Sequence, residues 1–380
     1  MRTLKTIEYN TIESIPISFW QDLDDDRPLY FEYDFLNAFE QSNKNIRCNY
    51  LFITKDNRAV ALAISQTIAI SFKTITKNVR MAKWLKKSLD YIFKSRPLVV
   101  MFYGNVFLSG EYGIFINKQE DSKDIFSIIA KGIKTQIKNT KKLHTIFVKD
   151  FLEESLPVTN HLYDYDYASL QVEPNMVITL DSSWVTFNDY KNQLRSKYRV
   201  KINKADSKSK ALTERYFADD DIEEYKAELQ DLYENTISNA DFNAQILNLN
   251  TYIELKKSYK EKFIIKGYFL NNKLVGFMSA MLYDNALVAH FIGLDYSKNK
   301  TYAIYPRILN DYIRLGIEHQ VNCINLGRTA LEIKSTVGAK PQSLICYAKH
   351  KRSLLNKMLK PFIKNIKIKP YKQHQPFKNS

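Results

Sequence analysis

The sequence predicts an α/β (α+β) protein of two tandem lobes, each a mixed, mostly antiparallel sheet flanked by helices, with a basic amphipathic segment at the end. Three observations predict it. Between Phe263 and Leu326 three strands on tight turns lead into a helix and then another strand. The first half repeats that order in weaker form, and the excess positive charge is confined to the last stretch of the chain.

The meander is the clearest element. FIIKGYFL, KLVGFMSAMLY and ALVAHFIGL read as strands, separated by Asn271-Asn272 and Asp284-Asn285. Asn and Asp tolerate positive φ, which two-residue hairpin turns demand. The polar stretch DYSKNKT reads as a loop, and Ile304, Ile308, Leu309, Tyr312, Ile313 and Ile317 recur at helical spacing after it. VNCINL follows as a strand, and LICYA as a last one. Upstream, Tyr225, Leu229, Leu232, Tyr233 and Ile237 give one helical stripe; Phe187, Tyr190, Leu194, Tyr198 and Ile202 give another, with Asp181 and Ser182-Ser183 as caps. In the first half NYLFIT, Lys55-Asp56-Asn57 and RAVALAISQTIAISF form a hairpin, PLVVMFYG a third strand, Ile125–Ile137 a helix and LHTIFV a further strand. An internal duplication joined near LQVEPNMVITL accounts for this order. The expected divisions are 1–168, 169–348 and a tail, 349–380.

Composition narrows the function classes. At 380 residues the chain exceeds one ordinary core. A hydrophobic fraction of 45% with 26% charged residues is that of a globular protein. No apolar run approaches the ~18 residues that cross a bilayer, and MRTLKTIEYNTIES lacks the apolar core of a secretory signal. Cys48, Cys323 and Cys346 are too scattered for a disulfide framework or a zinc site, so the expectation is a cytoplasmic protein without a metal. The formal charge of +15 is local: no acid follows Glu332, whereas 12 of the 56 Lys and Arg do, leaving 44 against all 41 acids before it. None of the ten glycines forms a G-x-x-x-x-G-K-[ST] or G-x-G-x-x-G motif, which disfavours nucleotide hydrolysis and dinucleotide redox chemistry.

Two segments carry a family resemblance. VEPNMVITLDSSWVTFNDYKNQLRSKYRVKINKA resembles the strand-to-helix stretch of two-lobed FemAB-like and GNAT proteins. FIGLDYSKNKTYAIYPRILNDYIRLGIEHQVNCINLGRT resembles their later stretch, with G-x-D, Tyr-Pro before a helix, and a strand ending in Gly-Arg-Thr. The resemblance covers residues 165–350. It implies an N-acyltransferase that moves an acyl group from a CoA-type thioester to an amine of a cell-envelope, glycan or lipid precursor. The alternatives are a FemAB-like transferase that takes an amino acid from aminoacyl-tRNA, and a GNAT-fold binding module without chemistry. One departure bears on the donor: where the family's glycine-rich pyrophosphate loop belongs, this chain has DYSKNKTYAIYP, with no glycine.

Lys197, Arg199, Arg328 and Lys334 are the residues expected to hold donor or substrate anions. For Lys197 and Arg199, with Lys201 and Lys204, the plain alternative is a solvated helix face; for Arg328 it is a pair with a neighbour such as Glu332. His290 and Tyr305 are the candidate chemistry residues, as proton acceptor and as donor to a leaving group, against packing roles in a strand and at a helix entrance. In the tail, Leu354, Leu355, Met358, Leu359, Phe362, Ile363 and Ile366 form a stripe flanked by Arg352, Lys357, Lys360, Lys364 and Lys367. Such a segment suits peripheral contact with an anionic membrane or docking on its own domain, and Pro361 interrupts it.

Overall fold

A computed structural model gives the structure of the chain and describes residues 4–71, 97–239, 244–366 and 368–378. Phe72 and Lys367, and the side chain of Lys364, lie outside the described residues. The chain divides into two compact units: Met1–Val172, Asp241–Leu247 and Ser343–Ile368 form the first, and Glu173–Ala240, Asn248–Gln342 and Lys369–Ser380 the second.

In the first unit β1 (Leu4–Tyr9), β2 (Arg47–Lys55), β3 (Arg58–Ile70) and β4 (Leu98–Tyr103) pair antiparallel in that order. The β2–β3 turn has positive φ at Asp56 and Asn57, as two-residue hairpins require. β5 (Ile114–Ile116) pairs with β3 off this path, β6 (Leu143–Phe151) runs parallel to β4, and β13 (Lys340–His350) pairs antiparallel with β6. Helix Ser122–Asn139, capped by the Asp121 carboxylate on the amides of Lys123 and Asp124, buries Phe126, Ile129 and Ile133 against the sheet.

The second unit repeats the scheme. β8 (Thr213–Tyr216), β9 (Phe263–Leu270), β10 (Lys273–Tyr283) and β11 (Ala286–Leu294) are antiparallel neighbours. β12 (Cys323–Asn325) runs parallel to β11, and β7 (Ala168–Thr179) pairs antiparallel with β12. Each unit thus has four antiparallel strands, a fifth parallel to the fourth, and a sixth antiparallel to the fifth. The duplication read from element order is therefore present in the strand pairing. The turns at Asn271-Asn272 and Asp284-Asn285 take positive φ at both residues, the two-residue hairpin geometry their composition predicts.

Three local expectations change. LICYA, expected in the second lobe, lies in β13 and completes the first unit's sheet, since β6 has an open edge there. The tail likewise is not one piece: Ser343–Ile368 goes with the first unit and Lys369–Ser380 with the second. The stripe from Phe187 to Ile202 is two helices, Phe187–Gln193 and Ser196–Lys208, because Leu194 leaves helical geometry to bridge Phe377. Its cap is Thr186 in a reciprocal box with Asp189, three positions later, which satisfies two amides at once.

Helix Ile304–Glu318 is the spine of the second unit. Ile304, Ile308, Tyr312, Ile313 and Leu315 bury one side of it against Met278, Leu287 and Ile324 of the sheet. Its polar side carries a closed charge network. Asp311, 2% exposed, accepts from Lys266 (3.1 Å), Tyr268 (2.8 Å), Arg307 (2.9 Å) and Arg314 (2.6 Å). Glu214 pairs with Lys266 and Arg307, and Asp206 with Arg314 at 2.6 Å. Three acids thus meet three bases, locking β8, β9 and helix Ser196–Lys208 onto the spine.

Candidate functional site

The second unit's sheet opens between its parallel strands. β11 and β12 pair only over Ala286–Val288 and Cys323–Asn325. Beyond that the chain after β12 turns to β7, where Leu326 N–H donates to Met176 and Met176 N–H to Gly327. β11 continues to Leu294 paired with β10, and its residues Ala289–Ile292 are half-buried where β12 has left it.

At that point β11 carries a bulge: His290 and Phe291 together face the single residue Ser279 of β10. A bulge frees backbone groups from the ladder, and here they are met by side chains. Phe291 N–H donates to the Tyr252 hydroxyl (3.2 Å), the Ser279 hydroxyl donates to Phe291 C=O (2.7 Å), and Tyr252 and Ser279 contact each other at 2.8 Å. Tyr312 donates from the spine helix to Ser279 C=O at 2.9 Å. Tyr252→Phe leaves Phe291 N–H buried without its acceptor, so it is expected to lower stability by about 1–3 kcal/mol; urea unfolding beside Tyr225→Phe, an unrelated tyrosine, measures it.

The other wall is the segment after β12. Gly327, Thr329 and Ala330 all have positive φ (68°, 64° and 48°), a conformation that glycine takes freely and the other two pay for. Lys334, on helix Leu331–Ser335, holds this segment: its buried ammonium donates to the carbonyls of Leu326 (2.7 Å), Gly327 (3.2 Å) and Arg328 (2.5 Å). Burial pulls its pKa down to about 7, with Glu173 acting the other way. All three donor directions are spent on the protein, so Lys334 shapes the loop that presents the half-buried Arg328.

The remaining candidates fall in two places. Lys197, Lys201, Lys204 and Lys208 are exposed along one side of helix Ser196–Lys208, while Tyr198, Ile202 and Ala205 are buried on the other. Arg199 is half-buried on the same helix. Tyr198 meets His374 Nδ1 at 3.1 Å and His374 Nε2 meets Glu332 at 3.4 Å, so the returning chain end ties the start of this helix to the helix that carries Lys334. Phe377 seats that end against Gly338, where a Cβ would stand 2.6 Å from its ring.

His290 and Tyr305 are not brought together. His290 packs at a tilt against Phe263, ring centroids 5.7 Å apart, and Phe263 in turn meets Tyr252 edge-on. Tyr305 packs into the core around the spine helix, with Ala289 and Ile292, on the other face of the sheet. Burial lowers His290 to about 4, making it a weak proton acceptor, and raises Tyr305 above its usual value. Sequence reasoning missed His374 and the Lys266–Asp311 network; the long separations of their partners left no local signal.

The expected loop DYSKNKT is instead a short helix, Tyr296–Tyr302. Its signal was Asp295 followed by Ser297: the carboxylate accepts from Ser297 N–H (2.9 Å) and Ser297 Oγ (2.6 Å). At the entrance of the spine helix Tyr305 N–H donates to Asn299 Oδ1 (2.9 Å), and Pro306 has no N–H. A CoA pyrophosphate needs consecutive free amides at this turn. Here Ser297 and Tyr305 N–H are taken by the Asp295 and Asn299 side chains, Lys298 and Asn299 N–H by Asp295 C=O, and the Asp295 carboxylate adds negative charge, so the residues present do not fit the pyrophosphate in the usual GNAT manner.

Solved structures share this architecture over nearly the whole chain. FemX superposes with a TM-score of 0.55 at 8% identity, covering 94% of this chain and 100% of that one. A tandem GNAT protein from the clavulanic acid biosynthesis pathway gives 0.50 at 6%, covering 92% and 99%. L-PGS from Bacillus licheniformis gives 0.50 at 10%, covering 90% and 98%. No family model and no curated protein matches the sequence. The chain has the two-lobed GNAT/FemAB-like fold. Among the described residues no helix is long and apolar enough to cross a membrane, and no group of three His, Cys, Asp or Glu stands together as a metal site.

Proposed function

We propose that this chain is an acyltransferase acting on an amine, and that its donor is an aminoacyl ester carried on tRNA rather than a CoA thioester. The observation that carries the reading is the filled turn at Asp295–Pro306, where Ser297 and Tyr305 amides are taken by Asp295 and Asn299. The lysine row supports it. Lys197, Lys201, Lys204 and Lys208, with exposed Lys298 and Lys300 alongside (Lys208 Nζ donates to Lys300 C=O at 3.3 Å), form a spaced cationic track suited to successive phosphates. In the reaction the acceptor amine attacks the ester carbonyl; the ribose hydroxyl leaves with a proton, and the amine gives one up. The opening between β11 and the Gly327–Ala330 segment, with Arg328 at its edge, is where the acyl group would sit. The acceptor class remains the amine of a cell-envelope, glycan or lipid precursor.

Filter binding of charged tRNA and calorimetric titration of acyl-CoA decide the donor. The expected result is tRNA retention that falls at least tenfold between about 50 and 200 mM salt, weakens further in Lys201→Glu/Lys204→Glu, and no heat with acyl-CoA. Binding of acyl-CoA without RNA retention returns the donor to the thioester. Binding of neither, with no transfer product, makes the chain a non-enzymatic GNAT-fold module.

A further inference from the structure

The tail helix, Ser353–Lys364, sorts its residues into three sectors. One faces the first unit: Asn356 and Ile363 are buried, and Leu359 packs with Phe147, Ala168, Leu170 and Ala348. Asn356 fixes the helix in rotation, accepting from His350 N–H and donating to Asp166 C=O, both at 2.8 Å. Pro361 does not break the helix, which runs through it. The second sector is apolar and points outward: Leu354 is 73% exposed, Met358 70%, Phe362 49% and Leu355 40%, with Ile366 just beyond at 42%. At ~100° per residue the four on the helix span an arc of about 100°. So the stripe read from sequence as one face divides: Leu359 and Ile363 anchor the helix, and the other five are left in water.

The third sector and the surroundings are basic. Arg352 and Lys357 are exposed on the helix. Lys351 reaches the carbonyls of Lys138 (3.4 Å) and Thr140 (2.7 Å), which places exposed Lys138 and Lys141 beside the helix start. Asp166, the acid that meets this helix, is neutralised by Lys360 at 2.9 Å. A rigidly anchored helix with an outward apolar stripe in a positive field complements a surface that is apolar beneath and anionic above.

We propose that this face docks the chain on the surface of an anionic phospholipid bilayer, with Leu354, Met358 and Phe362 entering the acyl boundary and Arg352, Lys357, Lys138 and Lys141 at the headgroups. The proposal is independent of the donor. Its electrostatic part follows the surface potential and decays with the Debye length, so it weakens with salt.

The test is sedimentation of the full chain with vesicles of about 30% phosphatidylglycerol in phosphatidylcholine, against phosphatidylcholine alone. The expected result is binding to the anionic vesicles that is at least tenfold weaker on neutral ones. Leu354→Glu/Met358→Glu should abolish it and Arg352→Glu/Lys357→Glu reduce it at least tenfold. These side chains are exposed, and matching near-UV circular dichroism and melting show that a variant is folded. Independently, Met358→Cys in a Cys323→Ser background, labelled with an environment-sensitive dye, should shift to the blue on anionic vesicles. No binding to anionic vesicles, or equal binding to both kinds, overturns the proposal. So does a dimer in solution that Leu354→Glu/Met358→Glu converts to monomer without any vesicle binding in the parent, which would make the face an interface between copies.

Discussion

Asp311→Asn is expected to destabilise the second unit by about 3–5 kcal/mol, the usual consequence of removing one partner from a buried ionic cluster. The substitution keeps the shape and removes the charge. Lys266, Arg307 and Arg314 would then share only Glu214 and Asp206, and the hydrogen bonds to Asp311 lose their ionic acceptor. Equilibrium urea unfolding measures the loss. Adding Lys266→Met to Asp311→Asn should restore part of it, since an uncompensated buried cation is then gone; a double variant as weak as the two single losses summed would mean the groups act independently.

The pH dependence of this cluster lies on the acid side. Burial alone would raise the Asp311 pKa, but Lys266, Arg307 and Arg314 outweigh it and hold the carboxyl below its usual value. The folded form thus releases the proton more readily than the unfolded one. The stabilisation is complete above the unfolded carboxyl's pKa and is lost as pH falls through the lower, folded one. Stability near neutrality is indifferent to it, and Asp311→Asn should flatten the acid limb of the unfolding curve.

What could be read in the sequence was whatever depends on neighbours. Asn271-Asn272 and Asp284-Asn285 announce hairpins because positive φ is a local property of those residues, and Ile304–Ile317 announces a helix because its period is local. The tail stripe was visible on the same ground, although its division into anchoring and outward residues was not; that depends on what Ala168 and Ala348 leave room for. The break at Leu194 is set by Phe377 from the far end of the chain. β13 joins the first unit because of an open edge on β6, which no property of LICYA records. Within the candidate site, Arg328 and Lys334 were legible as cations after a strand, but the role of Lys334 was not. A lysine in a short amphipathic turn reads as solvated, and only the positive-φ path of Gly327–Ala330 turns three carbonyls toward it. The Asp295 and Asn299 caps that fill the phosphate turn were half visible: the missing glycines could be counted, whereas the amide partners come from folding.

Lys334 makes the other large prediction, and its sign is opposite to that of a salt-bridged lysine. Burial lowers the folded pKa to about 7 from the ordinary 10.5. Below about pH 7 both folded and unfolded chains hold the proton, and the fold bears the full cost of burying the charge. Between about pH 7 and 10.5 the unfolded chain holds the proton and the folded one has released it, so stability rises with pH at up to about 1.4 kcal/mol per unit, on the order of 5 kcal/mol across the window. Lys334→Met abolishes this increment, so the urea midpoint of the native chain should gain on that of the variant as pH is raised from about 6.5 to 9.5. A gap that does not change with pH would show the amine to be unshifted. The proton also matters to the site. A neutral amine has two hydrogens for three carbonyls, so deprotonation releases one of Leu326, Gly327 and Arg328 and loosens the strained segment on that wall of the opening. Stability and site geometry therefore move in opposite directions across this window: the fold gains as the proton leaves, while the loop that presents Arg328 is best held when the proton is present. On the proposed function, transfer should decline above about pH 7 with the same midpoint as the Lys334 stability increment, and in Lys334→Met it should be low and without that midpoint.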